Sequence, residues 1–240
     1  MSVINEYNSR TALLLGETAV DTLSRSHVLV VGVGGVGAYA VEMLARSGVG
    51  RLTIVDGDCV SPSNLNRQLP ALVSTVGESK VEVMRRRIAD INPTCHVDAR
   101  HTFIAPEDVA GLIDGLNPDF VVDAIDSVSP KVELIYQCLR NKVKLISSMG
   151  AGGRTDPSKI AYADISETYN DGLARAVRQR LKDRGVRSGV KVVFSSEVPR
   201  RGSLLMTDEL PFKVSSFGTV SWIPAQFGIM LGAYVVNKLA

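Results

Sequence analysis

The spacing of apolar residues marks out most of the chain's elements. Leu14, Leu15, Val20 and Leu23 recur at helical spacing, which predicts a helix over 11–25. HVLVVGV (27–33) is an unbroken, largely β-branched run ending in glycine, the pattern of a strand buried on both faces. A helix over 35–46 and a second strand over 51–58 follow. A polar loop covers 61–75, and a helix over 78–90 stops at Asn92-Pro93. Residues 95–101 alternate as a strand. Residues 119–126 and 144–150 are two more buried strands, with a helix over 130–140 between them.

This alternation predicts an α/β fold with a doubly wound, mostly parallel sheet. Residues 1–150 form its regular core, and 151–240 complete the same domain less regularly. The second part holds a loop-rich stretch with a strand at 159–165, a basic helix over 171–184 and a late strand at 191–197. A candidate mobile loop spans 199–224, and an apolar closing helix over 222–239 carries Gly228 and Gly232.

Composition narrows the class. Apolar residues make up 45% of the 240, enough for a sizeable core. No run reaches the ~18 apolar residues of a membrane span. The polar start MSVINEYNSR lacks a secretory apolar stretch, so the expected location is cytoplasmic. Cys59, Cys95 and Cys138 are odd in number and widely spaced, which excludes a disulfide framework and a four-cysteine zinc site. His27, His96 and His101 have no metal-ligand spacing.

The strongest local signal is Gly32-Val-Gly34-Gly35-Val-Gly37, directly after a strand and opening a helix. Gly32 permits the tight turn, Gly34 lets phosphate approach the backbone, and Gly37 lets the helix pack on the sheet. The helix start offers unpaired N–H groups to phosphate. Asp56, at the end of the next strand, is placed to accept from ribose hydroxyls. The sheet is therefore Rossmann-like, with a nucleotide at its glycine turn. The following loop, Asp56-Gly-Asp58-Cys-Val-Ser-Pro-Ser-Asn64-Leu-Asn-Arg67-Gln68, is too polar for a hydride-transfer site alone. Arg67 and Lys80 are the cations that splitting ATP requires.

Those residues, with Gly77-Glu-Ser-Lys80 and Asp123-Ala-Ile-Asp126-Ser, resemble the ubiquitin-activating-enzyme-like superfamily over about residues 7–150. The resemblance implies adenylylation of a carboxylate by ATP with Mg2+. It implies a ribose-binding role for Asp56, a pocket lined by Asp58 and Asn64, phosphate-binding roles for Arg67 and Lys80, and a magnesium-holding role for Asp126. Read without the resemblance, Asp126 is a helix N-cap. Arg10 resembles the arginine that reaches into a neighbouring subunit, although Asn8-Ser-Arg10 differs from the usual Arg-Tyr-x-Arg. A homodimer follows. A monovalent cation is a further candidate ligand, and a sulfur-transfer or desulfurase protein a further candidate partner.

Two absences narrow the branch. The sulfur-carrier adenylyltransferases carry paired Cys-x-x-Cys motifs, and this chain has none. The ubiquitin-type enzymes use a catalytic cysteine in an added domain, and no cysteine follows Cys138. RSGVGRLTIVD, RIADINPTC, SSMGAGGRTDPSKI and the Ser215-Ser-Phe-Gly region resemble the tRNA threonylcarbamoyladenosine dehydratases over nearly the whole chain. The resemblance departs around 199–215, which is short and lacks a cysteine that some relatives have. It implies ATP-dependent ring closure on a modified tRNA nucleoside. The alternative is an adenylyltransferase acting on the C-terminus of a ubiquitin-like or sulfur-carrier protein. A tRNA substrate needs a cationic footprint. Residues 170–202 hold nine Lys/Arg against three acids. Helical spacing places Arg175, Arg178 and Lys182 on one side, with Arg187 beyond.

Overall fold

The computed structural model describes residues 6–200, 202, 204–210 and 213–240, with the backbone alone for 204–210 and 213–216. Helices α1 (Ser9–Leu15) and α2 (Glu17–Arg25) lead into β1 (His27–Val31), α3 (Gly37–Arg46) and β2 (Arg51–Val55). Then come α4 (Lys80–Ile91), β3 (His96–Arg100), α5 (Val109–Leu116), β4 (Phe120–Asp123), α6 (Val128–Arg140) and β5 (Lys144–Ser148). The second part adds β6 (Ile160–Asp164), α7 (Gly172–Asp183), β7 (Lys191–Ser195), the hairpin β8 (Leu204–Leu210) and β9 (Lys213–Phe217), and α8 (Trp222–Leu239).

Seven strands make one sheet in the order β3-β2-β1-β4-β5-β7-β6. All neighbours pair parallel except β6 on β7. The inner strands β1 and β4 are buried along their whole length because helices cover both faces, whereas the edge strand β3 is polar and only partly buried. Leu44, Met84, Ile88, Phe227 and Leu231 pack on one face, under α3, α4 and α8. Ile113, Leu134, Ile135, Val177 and Leu181 pack on the other, under α5, α6 and α7. The chain reverses its direction of travel across the sheet between β1 and β4, and loops at such a switch point form the ligand crevice of open α/β sheets.

Glycines set the closest approaches. A Cβ on Gly37 would overlap the Gly32 carbonyl, so this helix start can sit on the turn only as glycine. A Cβ on Gly228 would overlap the Val36 carbonyl, which lets α8 lie against α3.

Several elements differ from the sequence reading. The helix expected over 11–25 is two helices, because Gly16 adopts φ 91 and breaks it. Leu14, expected in the core, is 83% exposed. Helix α5 was not anticipated; Gly111 and Gly115 dilute its pattern. Much of the stretch expected as a loop over 199–224 is the β8–β9 hairpin. Arg201, counted in the basic segment, lies outside the described residues.

Candidate functional site

The carboxyl ends of β1, β2 and β4 enclose a cleft of about 120 Å³. Gly32, Asp56, Asp58 and Asp126 line it together with Phe103, Ile125, Ser127 and Pro130. The glycine turn is pinned from below, where Gly32 N donates to Val55 O and Ala124 N to Val31 O. The expected site residues Gly32, Asp56, Asp58 and Asp126 thus converge from three strand ends.

Asp56 is held by backbone. Its Oδ2 accepts from Val33 N at 2.7 Å and its Oδ1 from Asp58 N at 2.8 Å. Burial raises its carboxyl above the usual aspartate value, against the opposing pull of Lys80 and of those two amides. Lys80, at the start of α4, is 4% exposed and donates to Asp58 Oδ2 at 2.6 Å. The ammonium therefore joins the cleft through Asp58 rather than pointing into solvent.

Arg67 covers the turn from above. A Cβ on Gly35 would lie 3.6 Å from Arg67 Cγ and 3.3 Å from Pro224 Cβ. Its Nη1 donates to Ser63 O and Asn66 Oδ1, each at 2.8 Å. Partial burial lowers the guanidinium from its usual value, while the nearby Asp126 carboxylate acts the other way. Gln68 stands over Gly34, its Nε2 3.7 Å from where a Cβ would be. Its Oε1 is buried without a hydrogen-bond partner among the described residues. An open glycine cradle with flanking cations is what a polyphosphate would complete, and the orphaned Gln68 Oε1 calls for a donor such as a nucleotide hydroxyl or amino group.

Asp126 is exposed at the cleft. The N-cap of α6 is Ser127, so the alternative reading of Asp126 as the cap is corrected. Its hard oxygen donors suit Mg2+, an ion held by one or two carboxylates plus substrate phosphates. No group of three or more His, Cys, Asp or Glu able to hold a metal occurs among the described residues.

Other expected residues lie elsewhere. Asn64 shapes the loop, its Oδ1 accepting from Ser61 N at 3.1 Å. Arg10 is exposed on α1. On α7, Arg175 and Lys182 are exposed, as is Arg187 beyond its end. Arg178 is half-buried and donates to Thr168 Oγ1 at 2.6 Å and Thr168 O at 3.0 Å, so its guanidinium braces the preceding loop. The sequence reading missed Phe103, an exposed aromatic after β3 that walls the cleft. It also missed Arg154, whose 2% exposure no spacing betrays.

A wider concavity of about 520 Å³ lies at the amino edge of the strands, lined by Arg25, Lys142, Lys144 and Lys238. Helices α2, α5, α6 and α8 all end there, and these cations complement the negative ends of the helix dipoles. None of the motif residues reaches it.

A family model for the ThiF family matches residues 7–240. This chain belongs to the ThiF family. The tRNA threonylcarbamoyladenosine dehydratase of Bacillus subtilis is 44% identical over 241 residues, covering 96% of this chain and 93% of that protein. The Escherichia coli enzyme of the same name is 41% identical, covering 95% and 91%. The crystal structure of the E. coli tRNA N6-threonylcarbamoyladenosine dehydratase in complex with ATP superposes with a TM-score of 0.89 at 39% identity, covering 98% of this chain and 93% of that one. The ThiF fold of this chain is therefore one seen elsewhere with ATP bound.

Proposed function

We propose that this protein is an ATP-dependent dehydratase that adenylylates the threonyl carboxylate of threonylcarbamoyladenosine in tRNA and closes it into a ring. The observation that carries the reading is the cleft lined by Gly32, Asp56, Asp58 and Asp126, with Lys80 paired to Asp58 and Arg67 near Asp126, within a chain that matches dehydratases along nearly its whole length. It acts in the cytoplasm, where its bacterial relatives' tRNA substrate resides.

Asp56 accepts from the ribose hydroxyls, and Phe103 and Ile125 give the base an apolar wall. The amides of the glycine turn take the phosphates. Arg67 and Lys80 stabilise charge on the phosphoryl oxygens and the departing pyrophosphate without moving a proton. Asp126 would hold Mg2+, which neutralises phosphate charge when bound. The substrate carboxylate oxygen attacks the α-phosphorus and pyrophosphate leaves. The carbamoyl nitrogen or oxygen then attacks the acyl carbon and AMP leaves, so the nucleoside loses one water. The attacking atom is already tethered, so no protein nucleophile is needed. Cys138 is buried, and burial pushes its thiol up to about 12, in line with that mechanism.

Arg175, Lys182 and Arg187 present cations for the tRNA backbone. A second copy of the chain covers Leu13 and Leu14, 87% and 83% exposed on α1, and brings Arg10 to the neighbouring site. Light scattering tests the dimer, and a monomer would remove that role of Arg10. The deciding experiment for the activity is mass spectrometry of tRNA nucleosides after incubation with ATP and Mg2+. Loss of one water from threonylcarbamoyladenosine is expected; an unchanged nucleoside with active ATP turnover on a carrier protein would sink the reading.

A further inference from the structure

An ion pair shielded from solvent lies beneath the cleft. Asp123, the last residue of β4, and Lys131, in the first turn of α6, are both fully buried, as is Ser147 on β5. Lys131 Nζ donates to Asp123 Oδ2 at 2.7 Å, to Ser147 Oγ at 3.2 Å and to Ser148 O at 2.9 Å. Ser147 Oγ donates to Asp123 Oδ2 at 2.6 Å. The other carboxylate oxygen, Asp123 Oδ1, accepts from Ile125 N at 3.1 Å.

The arrangement grips the loop that carries Asp126 from both ends. Asp123 holds the backbone one residue before it. Lys131 holds the helix that begins two residues after it. Both are anchored to the end of β5, and Ile125, Asp126, Ser127 and Pro130 all line the cleft. A buried ion pair is weak support for stability, because packed apolar residues of similar volume serve as well. What apolar residues cannot do is fix the Ile125 amide and the helix start to one carboxylate, and so fix the direction of the side chain between them.

We infer that Lys131, Asp123 and Ser147 are positioning residues that aim the Asp126 carboxylate at the metal–phosphate group. The inference rests on the reading of Asp126 as the magnesium-holding acid. Groups that orient a metal-holding carboxylate typically change metal affinity or activity by about 10–100-fold when removed.

The test is calorimetric binding of a non-hydrolysable ATP analogue to the full chain, with and without Mg2+. The quantity read is the factor by which Mg2+ tightens binding. Asp123→Leu/Lys131→Met removes both charges together and is expected to keep a near-normal Tm and the Mg2+-free affinity, while the Mg2+ factor falls about tenfold. Ser147→Ala keeps the ion pair, so it folds even if the double variant does not, and its Mg2+ factor is expected to fall by less. Asp126→Ala sets the scale by abolishing the factor. If Asp126→Ala abolishes it while the other two variants keep it whole, the network serves the fold alone and the inference is overturned. If Asp126→Ala itself leaves the factor intact, the underlying reading of Asp126 falls, and this inference with it.

Discussion

On the β2-β1-β4 side of the sheet, strand ends lead into polar groups gathered around an open cleft. Asp126 faces the cleft, Arg67 stands over Gly35, and Gln68 Oε1 has no partner among the described residues. On the β5-β7-β6 side the polar groups close on one another. Arg154 donates to the carbonyls of Gly150, Gly152, Asn170 and Glu197 and pairs with Asp171 at 3.5 Å. Glu197 accepts from the amides of Thr155 and Asp156. Both regions hold buried charge, but the Arg154 network closes on the protein's own carbonyls and amides, whereas Gln68 Oε1 over the glycine turn is left for a ligand's donor.

Removing one charge from each side puts this contrast at greatest risk. Arg67→Ala or Asp126→Ala is expected to lower tRNA-dependent ATP–pyrophosphate exchange by about 10²–10³-fold, with Tm nearly unchanged. Arg154→Ala is expected to do the reverse, costing about 3–5 kcal/mol of stability by stranding Asp171 and several carbonyls, while folded molecules keep exchanging. Thermal unfolding measured beside exchange decides it. A stable Arg154→Ala protein without exchange would move Arg154 to the site side of the contrast.

The two regions meet where α8 lies on α3. Gly228→Val would drive a branched side chain into the Val36 carbonyl and Tyr39. Overpacking of this kind costs about 1–3 kcal/mol. Chemical denaturation should show a lowered midpoint, and ATP affinity of the remaining folded protein should drop because Pro224, on the same helix, walls Gly35. A normal midpoint would mean that α8 is free to shift, and that the halves are coupled less tightly than the packing implies.

How much of this could be read from sequence differs between the regions for the same physical reason. That Gly32, Asp56, Asp58 and Asp126 meet at one edge of the sheet is legible because the glycine turn and the strand ends are marked by local pattern. The strands β1, β2, β4 and β5 are legible because burial on both faces leaves unbroken apolar runs. Lys131, Asp123 and Ser147 are not, because their meaning lies in contacts across three elements that no local spacing encodes. Arg178 shows the converse limit of local spacing. Helical spacing groups it with Arg175 and Lys182, but across the turn it donates to Thr168, a contact that spacing does not encode. The β8–β9 hairpin escaped because the segment carries few periodic signals.

The same contrast between braced and outward-facing charge applies to tRNA. Arg175→Glu/Lys182→Glu/Arg187→Glu is expected to weaken tRNA binding about tenfold or more. Its salt dependence should flatten by about one power of salt concentration for each phosphate that no longer meets a cation. ATP affinity should not change. Arg178→Glu alone should instead cost stability, since its guanidinium holds Thr168. Filter binding across a salt series separates the two. An unchanged slope in the triple variant would retire α7 as an RNA-binding face.

The smallest expected effect probes the site's own interior. Burial raises the Asp56 carboxyl, so in the folded protein it takes up its proton at a higher pH than an ordinary aspartate does. The sign follows from its role. The carboxylate accepts from Val33 N and Asp58 N, and in the proposed role also from ribose hydroxyls; protonation removes acceptor capacity and the attraction to Lys80. Acidification should therefore weaken binding of an ATP analogue by a few-fold, beginning above the usual aspartate range of about 3.5–4. Asp56→Asn should bind more weakly at every pH and lose this acid limb, because an amide does not titrate. If the limb persists in Asp56→Asn, the titrating group is another, and the desolvated acid at the end of β2 is not what senses pH in the cleft.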